Sequence, residues 1–327
     1  MITQLSIIVP IYNQEQYLPE CLRAFDRQNF DNTVEVLLID DGSTDNSLQL
    51  CNKAARKNGF YRVIHQKNKG VAVARNTGLD NAKGEYIAWV DPDDYITDDW
   101  YRVVKDELSS FPDMIFFDMY MLYDDKVEKC VFARHSYVLS NKELCDELSI
   151  NNKLQSHLCS KIIHRKFYNK RFSRKYSFCE DYALLHHICL NIKTCKYIHK
   201  RLYVYRQVEG SIVHDETKLL DNTILLVRLN KQRFNFYKRN NINVSKIGIC
   251  LAMISFLSVY CIRNKRGSYK RIYKIYFKYI KYNIYNIVTC SKISFKRRLK
   301  IACIVLMGSN LYEMVMNLKY RKYLNNK

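Results

Sequence analysis

The chain has 327 residues, of which 48% are hydrophobic and 26% charged, with only 9 Gly and 4 Pro. This composition predicts a folded protein of one large or two ordinary domains and excludes a disordered chain. The formal net charge is +21, from 53 Lys and Arg against 32 Asp and Glu.

The excess positive charge lies in the last third of the chain. Residues 219–327 contain 23 of the basic residues but only two acids, Asp221 and Glu313, whereas residues 1–218 are neutral. Such an asymmetry points to an anionic partner, either lipid headgroups or nucleic acid. We therefore predict a domain at 1–218 and a basic, Tyr-rich helical region at 219–327.

The 12 cysteines form no recognisable metal or disulfide motif. The closest pair in sequence is Cys189 and Cys195, so no C-x-x-C spacing occurs. An apolar, strand-like run begins almost directly after Met1, so no secretory signal is expected. We interpret the cysteines as reduced, mostly buried thiols of a cytosolic protein.

Four apolar runs predict strands in the N-terminal region. They cover residues 5–12, 34–41, 60–66 and 85–91, and helix-like stretches begin between them, near Glu15, Ser43 and Ala72. Continuous apolar strands that alternate with helices are typical of a parallel sheet covered on both faces. Ligands of such sheets bind beyond the carboxyl ends of the strands, so we expect an α/β fold with its site at that edge.

The segment Pro10–Glu15 follows the first predicted strand. Pro10 is expected to stop the strand ladder, so that Asn13 or Glu15 projects over the edge of the sheet. The alternative is an ordinary turn whose acid starts a helix.

The segment Ile39–Ser47 places Asp40 and Asp41 at the end of a buried strand, before Gly42. One of these carboxylates could accept a hydrogen bond from a base N–H or a ribose hydroxyl. Helix capping is the competing explanation, because good N-cap residues follow at Ser43, Thr44 and Asp45.

The segment Asn68–Asp94 joins a helix start to an acidic turn. Gly70 precedes a helix that carries Arg75, and a helix N-terminus together with an Arg suits a nucleotide. The next strand delivers Asp91, Pro92, Asp93 and Asp94. Acids this close repel one another unless a cation neutralises them, so Asp91 and Asp93 form a candidate Mg²⁺ or Mn²⁺ site. An acidic turn is the alternative.

Together these segments resemble family-2 glycosyltransferases with the GT-A fold, a Rossmann-like, mostly parallel sheet flanked by helices. The resemblance covers about the first 215 residues. It is carried by Pro10, Tyr12, Asn13 and Glu15, by Asp40–Asp45, by Gly70, Ala74, Arg75, Asn76 and Gly78, and by the DXD-like Asp91-Pro92-Asp93. It implies an inverting enzyme that uses a nucleotide sugar, usually of uridine, as in the synthesis of bacterial capsule, exopolysaccharide or O-antigen.

The resemblance also implies roles for individual residues. Asp93, with Asp91, would hold the Mn²⁺ or Mg²⁺ that bridges the diphosphate of the donor. The residues implied to contact the nucleotide are Pro10, Tyr12, Asn13, Glu15, Asp40, Asp41, Gly70, Arg75 and Asp91.

Glu180 and Asp181 start a later helix-like stretch, where the helix dipole alone could explain two acids. The resemblance implies instead that Asp181 is the general base for an acceptor hydroxyl, and that Glu180 orients it or contacts the acceptor. It also implies a preceding helix that matches Lys161–Arg165, followed by Phe172 and Phe178.

The segment Tyr205–His214 follows the last predicted strand, at residues 195–206. By the same resemblance, Arg206, Ser211 or His214 could fold over the diphosphate, and His214 could be a third metal ligand. An exposed loop is the alternative.

The basic tail has two interpretations. In residues 269–287, five basic residues lie on one side of a helical wheel and Tyr and Ile residues lie opposite: Lys270, Arg271, Lys274, Lys278 and Lys281. This arrangement describes either a helix lying on an anionic membrane or a packed helical subdomain with a solvated basic face. The uncharged run at 247–262 is shorter than the roughly 20 residues of a membrane span, so we expect it to be buried or interfacial.

We therefore expect a cytoplasmic enzyme, peripheral at the inner face of the cell membrane, that acts on a saccharide or lipid-linked saccharide. The alternative is a nucleic-acid or anionic-membrane binding protein with a non-catalytic GT-A-like domain. The acidic cluster would repel nucleic-acid phosphates without a metal, and the sequence has no nucleic-acid motif, so no nucleic-acid partner is expected. A nucleotidyltransferase or dehydrogenase is disfavoured because the first βα turn lacks a Gly-rich phosphate loop.

Overall fold

The chain divides into two units in the computed structural model. The described residues are 3–123, 126–150, 154, 156–176, 179–208, 218–263 and 269–325, with side chains described except at 262–263 and 317–325. Residues 1–144 and 156–211 form the first unit, here called the α/β unit, and residues 145–155 and 212–327 form the second, the helical unit. The predicted boundary at 218/219 lies a few residues from the junction at 211/212, and the short segment 145–155 belongs to the helical unit.

The N-terminal part of the α/β unit alternates strands and helices. The elements are β1 (Leu5–Ile11), α1 (Leu18–Asp26), β2 (Val34–Asp40), α2 (Ser47–Lys57), β3 (Tyr61–His65), α3 (Val71–Asn81) and β4 (Tyr86–Trp89). Every residue of β1, β2 and β4 is buried, as expected for apolar strands that are covered on both faces. α1 and α2 begin three or four residues later than predicted, because the intervening residues form tight loops.

The second part of the α/β unit is more irregular. Its elements are β5 (Tyr95–Ile96), α4 (Trp100–Leu108), β6 (Met114–Leu122), β7 (Val127–Cys130), β8 (Tyr137–Leu139), α5 (Asn141–Ile150, which continues into the helical unit), β9 (Lys161–His164), a 3-10 helix (Arg165–Phe167), α6 (Glu180–Cys189) and β10 (Cys195–Arg206).

All strands join one sheet in the order β3-β2-β1-β4-β9-β6-β10-β5, with β7 on β6 and β8 on β10. β1 to β4 run parallel, as do β6 and β10, and β9 lies antiparallel between β4 and β6. The α/β fold class is thereby confirmed. Because Ile11 pairs with Asp40 and Asp40 with His65, the carboxyl ends of three parallel strands meet at one edge.

Pro10 does not end β1. The strand stays paired with β2 as far as Ile11, whereas its pairing with β4 ends at Ile8, two residues before the proline. Proline has no N–H to donate, so it cannot pair with strands on both sides. Pro10 is tolerated because the pairing of β1 with β4 has already ended at Ile8.

The predicted helix at Lys161–Arg165 is wrong. Lys161–His164 form strand β9, and only the next three residues turn, as a 3-10 helix. The β-branched pair Ile162 and Ile163 suits a strand that is buried on both faces, and both side chains are fully buried in the sheet.

The C-terminal helices of the helical unit begin at Leu219, where the basic composition begins. The unit contains α7 (Leu219–Arg239), α8 (Ile247–Arg263), α9 (Lys270–Tyr282), α10 (Ile284–Val288) and α11 (Phe295–Asn325), which bends at Gly308. The apolar run of α8 is buried, with Phe256 and Leu257 at 0% and 1% exposure. α9 turns Tyr273 and Ile280 into the same core and its lysines to solvent, as in the packed-subdomain interpretation.

One described segment is long and apolar enough to cross a bilayer by length and composition. It is Phe295–Met316 in α11, and only 17% of its most apolar window is buried.

Candidate active site

The loops that follow β1 and β2 are tied together by hydrogen bonds. Asn13, with a left-handed φ of 51°, accepts from the N–H of Thr44 at 2.8 Å through Oδ1. Glu15 Oε2 accepts from the backbone N–H of Asn46 at 3.0 Å, and Asp45 Oδ2 accepts from the N–H of Glu15 at 2.9 Å. These bonds fix the edge of the sheet where Asn13 and Glu15 are predicted to contact a nucleotide.

Asp40 is completely buried at the end of β2. Its Oδ2 lies 2.7 Å from Nδ1 of His65, and its Oδ1 is buried with no hydrogen-bond partner among the described residues. A buried oxygen without a partner costs about 1–3 kcal/mol, so a donor from a bound ligand would stabilise this site. Tyr12, which follows β1 at the same edge, is 47% exposed.

Asp41 binds the start of α3. Its Oδ1 accepts from the N–H of Lys69 at 3.0 Å and from the side chain of Gln66, and its Oδ2 accepts from the N–H of Gly70 at 2.8 Å. Gly70 has a φ of 88°, in the left-handed region that favours glycine. Asp41 therefore orients the N-terminus of the helix that carries Arg75, and both of its carboxylate oxygens already have partners.

The acids after β4 are crowded and short of positive charge. Asp94 is 2% exposed and accepts from the hydroxyl of Tyr203 and from the N–H of Arg206, both at 2.7 Å. Burial, with Asp93 and Asp91 nearby, raises the pKa of Asp94 well above its ordinary value. Burial and Asp91 also raise the pKa of Asp93 to about 6. These shifts come first from burial and then from repulsion between the acids, and a bound cation would relieve that repulsion.

The described residues contain one group of side chains that brings three potential metal ligands together. Ligand atoms of Asp91, Asp94 and Cys159 lie within 4.8 Å of one another, and Asp93 is not part of this group. Carboxylate oxygens suit Mn²⁺ and Mg²⁺, whereas a thiol is soft, and burial raises the pKa of Cys159 well above its usual range. The carboxylates fit such an ion and the thiol does not. His214, Ser211 and Phe178 lie outside the described residues.

Arg75 joins the acids after β4 to the acids at the start of α6. Its guanidinium is buried, with Nη1 donating to Glu180 Oε1 and Nη2 donating to Asp91 Oδ1 at 3.2 Å. The same group lies 5.5 Å from the ring centre of Phe172 and 6.0 Å from that of Trp89. Two ion pairs and two aromatic faces hold Arg75 in one position.

Glu180 and Asp181 begin α6, after Cys179 with its left-handed φ of 62°. Burial raises the pKa of both carboxyl groups, and the nearby Arg75 acts in the opposite direction. Asp181 also accepts from the N–H of Tyr182 at 2.6 Å. A buried carboxylate with a raised pKa is a better proton acceptor than an exposed one, as a general base requires.

Some residues of the site were given no role by the sequence. Asp94 was visible as the third acid of the turn, but nothing local indicated that Tyr203 would bind it. The family resemblance implies only a contact with the diphosphate for Arg206. In the structure its Nε donates to the backbone oxygen of Asp93 at 3.0 Å, and its Nη2 pairs with Glu20. These partners are about 110 to 190 residues apart in sequence, so only the folded sheet brings them together.

The chain matches a family model and several relatives by sequence. The model described as glycosyl transferase family 2 matches residues 6–178. The glycosyltransferase GlyG of Streptococcus pneumoniae serotype 4 is 32% identical over 230 residues, which are 66% of this chain and 74% of GlyG. A cholesterol galactosyltransferase of Borreliella burgdorferi is 27% identical over 68% of this chain and 66% of its own length. GlyA of the same Streptococcus is 28% identical over 64% of this chain, which spans only 31% of GlyA.

Solved structures share the fold at low sequence identity. Residues 1–349 of S. aureus TarS superpose with a TM-score of 0.60 at 20% identity, covering 98% of this chain and 91% of that one. The mannosyltransferase PcManGT of Pyrobaculum calidifontis superposes with a TM-score of 0.51 at 14% identity, covering 93% of this chain and 87% of its own.

Proposed function

The chain belongs to glycosyl transferase family 2 and is a glycosyltransferase, and from that premise we propose a specific reaction. It transfers a sugar from a nucleotide sugar to a hydroxyl of a saccharide or lipid-linked acceptor, with inversion at the anomeric carbon. The observation that carries this proposal is the bridge from Asp91 through Arg75 to Glu180, because it brings the donor-side acids next to Asp181.

The nucleotide is proposed to lie at the carboxyl edge of β1, β2 and β4. Asp40 offers its unpartnered Oδ1 to a donor such as the N–H of uracil, and the exposed ring of Tyr12 can stack on the base. β1 separates β2 from β4, so Asp40 and Asp91 lie roughly 10 Å apart, a distance that a nucleoside spans. TarS structures with UDP and with UDP-GlcNAc support a uridine donor.

Asp181 is proposed to act as the general base. Its carboxylate takes the proton of the acceptor hydroxyl while that oxygen attacks the anomeric carbon from the side opposite the diphosphate. The new C–O bond forms as the bond to the diphosphate breaks, and the nucleoside diphosphate leaves. Arg75 and Glu180 hold the donor side and the acceptor side of the site in a fixed geometry. Such positioning lowers the reaction barrier more in a buried site than in water.

Asp91 and Asp94, together with the predicted ligand Asp93, are the residues that would hold a divalent cation. The uncompensated charge and the carboxylate donor set both fit Mn²⁺ or Mg²⁺. Such an ion, when bound, stabilises negative charge on the leaving diphosphate. The PcManGT complex with GDP-Man and Mn²⁺ supports this assignment.

The proposed setting is the inner face of the bacterial cell membrane, in the synthesis of a capsule or another surface polysaccharide. The exposed lysines of α9 and the charge of +21 favour an anionic surface. The cholesterol galactosyltransferase relative, whose name states a lipid acceptor, is consistent with a membrane-held substrate.

The variant Asp181→Asn tests the proposed reaction. We expect donor affinity, measured by calorimetry across a panel of UDP-sugars with Mn²⁺, to stay within about threefold, while transfer falls by about 100-fold or more. A chelator should abolish transfer by the unaltered protein. The matched control is Asp80→Asn, an exposed acid on α3 paired with Arg171. Equal transfer by Asp181→Asn and the control would remove Asp181 from the mechanism.

A further inference from the structure

α11 exposes apolar side chains to solvent in the helical unit. Phe295, Leu299 and Leu306 are 71%, 54% and 85% exposed, and Leu311 and Met314, beyond the bend at Gly308, are 45% and 53% exposed. Single exposed apolar residues are ordinary, but a row of large ones on one helix marks an interaction surface.

The exposed residues form a stripe opposite the buried face of the helix. At 100° per residue, Phe295, Leu299 and Leu306 fall within an arc of about 40°. Ile301 and Ile304, which are 2% and 3% exposed and belong to the core of the helical unit, lie roughly on the other side. α11 therefore has two apolar faces. One packs in the core of the helical unit, and the other is exposed to solvent. The outer face runs for about 16 Å between residues 295 and 306.

Basic side chains border this stripe. Lys296 and Lys300 are exposed and lie about 60° and about 100° beyond one edge of it on the helical wheel, and Arg297 is also exposed. The five basic residues of α9 are exposed as well, and the whole region from 219 onward contains only two acids. A soluble protein partner would need a matching acidic rim around an apolar groove, whereas an anionic bilayer presents both features at any point on its surface.

The buried face determines how α11 would meet a bilayer. The segment Phe295–Met316 has the length and composition of a membrane span. Ile301, Ile304 and Tyr312, however, are packed in the core of the helical unit, and insertion across the bilayer would pull them out of it. The geometry therefore suits a helix that lies in the plane of the interface with its outer stripe among the acyl chains.

We propose that the stripe Phe295–Leu299–Leu306 of α11, with Lys296 beside it and Lys300 further round the same side of the helix, docks the protein on an anionic lipid surface. This inference rests on the proposed function in one respect. The proposed reaction supplies the purpose of docking, which is access to a membrane-held acceptor. It assigns the main apolar contact to α11, because most of the apolar side of α9 packs in the core and only Ile275 and Tyr282 are exposed there, at 54% and 89%.

The test is sedimentation of the full chain with vesicles of phosphatidylcholine containing about one third phosphatidylglycerol. We expect L299E/L306E to reduce the vesicle-bound fraction by at least about tenfold, because each leucine would leave the acyl region. K296Q/K300Q should also reduce binding and weaken its dependence on salt. V138E is the matched control, since Val138 is 61% exposed in β8 of the α/β unit, and it should bind like the unaltered protein.

Three results would overturn the proposal. They are unchanged vesicle binding by L299E/L306E, equal binding of the unaltered chain to purely phosphatidylcholine vesicles, and a dimer in gel filtration that L299E/L306E converts to monomer without any vesicle binding. The last result would assign the stripe to a second copy of the chain. Thermal melting checks that the variants fold. Turnover of donor in solution should be unchanged in L299E/L306E, so a failure of the proposed reaction would appear there and not in the vesicle assay.

Discussion

At the scale of single residues, the site gathers acids around a buried guanidinium. Removal from water raises the pKa values of Asp93, Asp94, Glu180 and Asp181, and the nearby Asp91 raises each of them further. Arg75 opposes this shift for Glu180 and Asp181, but it does not reach the whole cluster. Strongly shifted groups gathered in one place are typical of functional sites, and here the excess of negative charge is one that a cation would correct.

Arg75→Met should shift the acidic limb of the kcat/KM profile to higher pH. Arg75 lowers the pKa of Asp181, so without it the base stays protonated to a higher pH, and activity at pH 6 should fall more than activity at pH 8. The same change leaves Glu180 and Asp91 without their partner and should lower the free energy of unfolding by about 3 kcal/mol. Initial rates across pH and urea denaturation measure the two effects.

Arg62→Met is the control for the pH profile. Arg62 pairs with the buried Glu35 at 2.5 Å, away from the acids of the site. It should lower stability without moving the acidic limb. An unshifted limb in Arg75→Met would show that Arg75 has no electrostatic influence on the base.

At the scale of elements, the site is assembled where loops cross-link secondary structure. The loops after β1 and β2 bind each other through Asn13, Glu15 and Asp45, and Asp41 binds the backbone N–H groups just before α3. Capping and ligand binding, which were alternatives for these residues, are therefore compatible. Side chains that fix the loops leave one buried oxygen of Asp40, at the end of β2, without a hydrogen-bond partner among the described residues.

Asp41→Ala should weaken both stability and donor binding. Two backbone N–H groups at the start of α3 would lose their acceptor, at a cost of about 1–2 kcal/mol in the free energy of unfolding. A less ordered α3 would also release Arg75, so donor affinity should fall by calorimetry. Asp80→Ala, on the exposed face of the same helix, should cost less than about 1 kcal/mol and leave affinity unchanged. Equal affinities in the two variants would contradict this role of Asp41.

At the scale of the whole molecule, the two units are interleaved in sequence. The segment 145–155 interrupts the α/β unit and belongs to the helical unit, where Arg233 donates to the backbone oxygen of Leu148 at 2.6 Å. Lys292 likewise pairs with Asp146 at 2.7 Å in the same unit. The helical unit is therefore not a tail that can be removed cleanly at residue 218.

A chain that ends at residue 218 should aggregate. Leu148 and Ile150, which are 0% and 2% exposed, would lose the helices of their own unit and become an apolar patch. The shortened chain should elute in the void volume of gel filtration. The same chain with Leu148→Ser and Ile150→Thr should be more soluble, and a shortened chain that is monomeric without these changes would refute the argument.

The sequence by itself determined the local elements and the family. Apolar runs ending in polar residues located β1 to β4 to within about two residues, and the partly alternating run at 195–206 located β10, because strand burial depends on side chains next to one another in sequence. The motifs at Pro10–Glu15, Asp40–Asp45 and Asp91–Asp93 identified the family, which the comparisons confirm.

Only the tertiary structure decided which side chains meet. It made Lys161–His164 a strand, placed Asp94 and Cys159 beside Asp91, joined Arg75 to Glu180, and left one apolar face of α11 in solvent. The physical reason is that these outcomes depend on strand order and on contacts between segments far apart in the chain. The same local pattern of Ile, Lys or Asp is compatible with several partners until the sheet and the helical core select one.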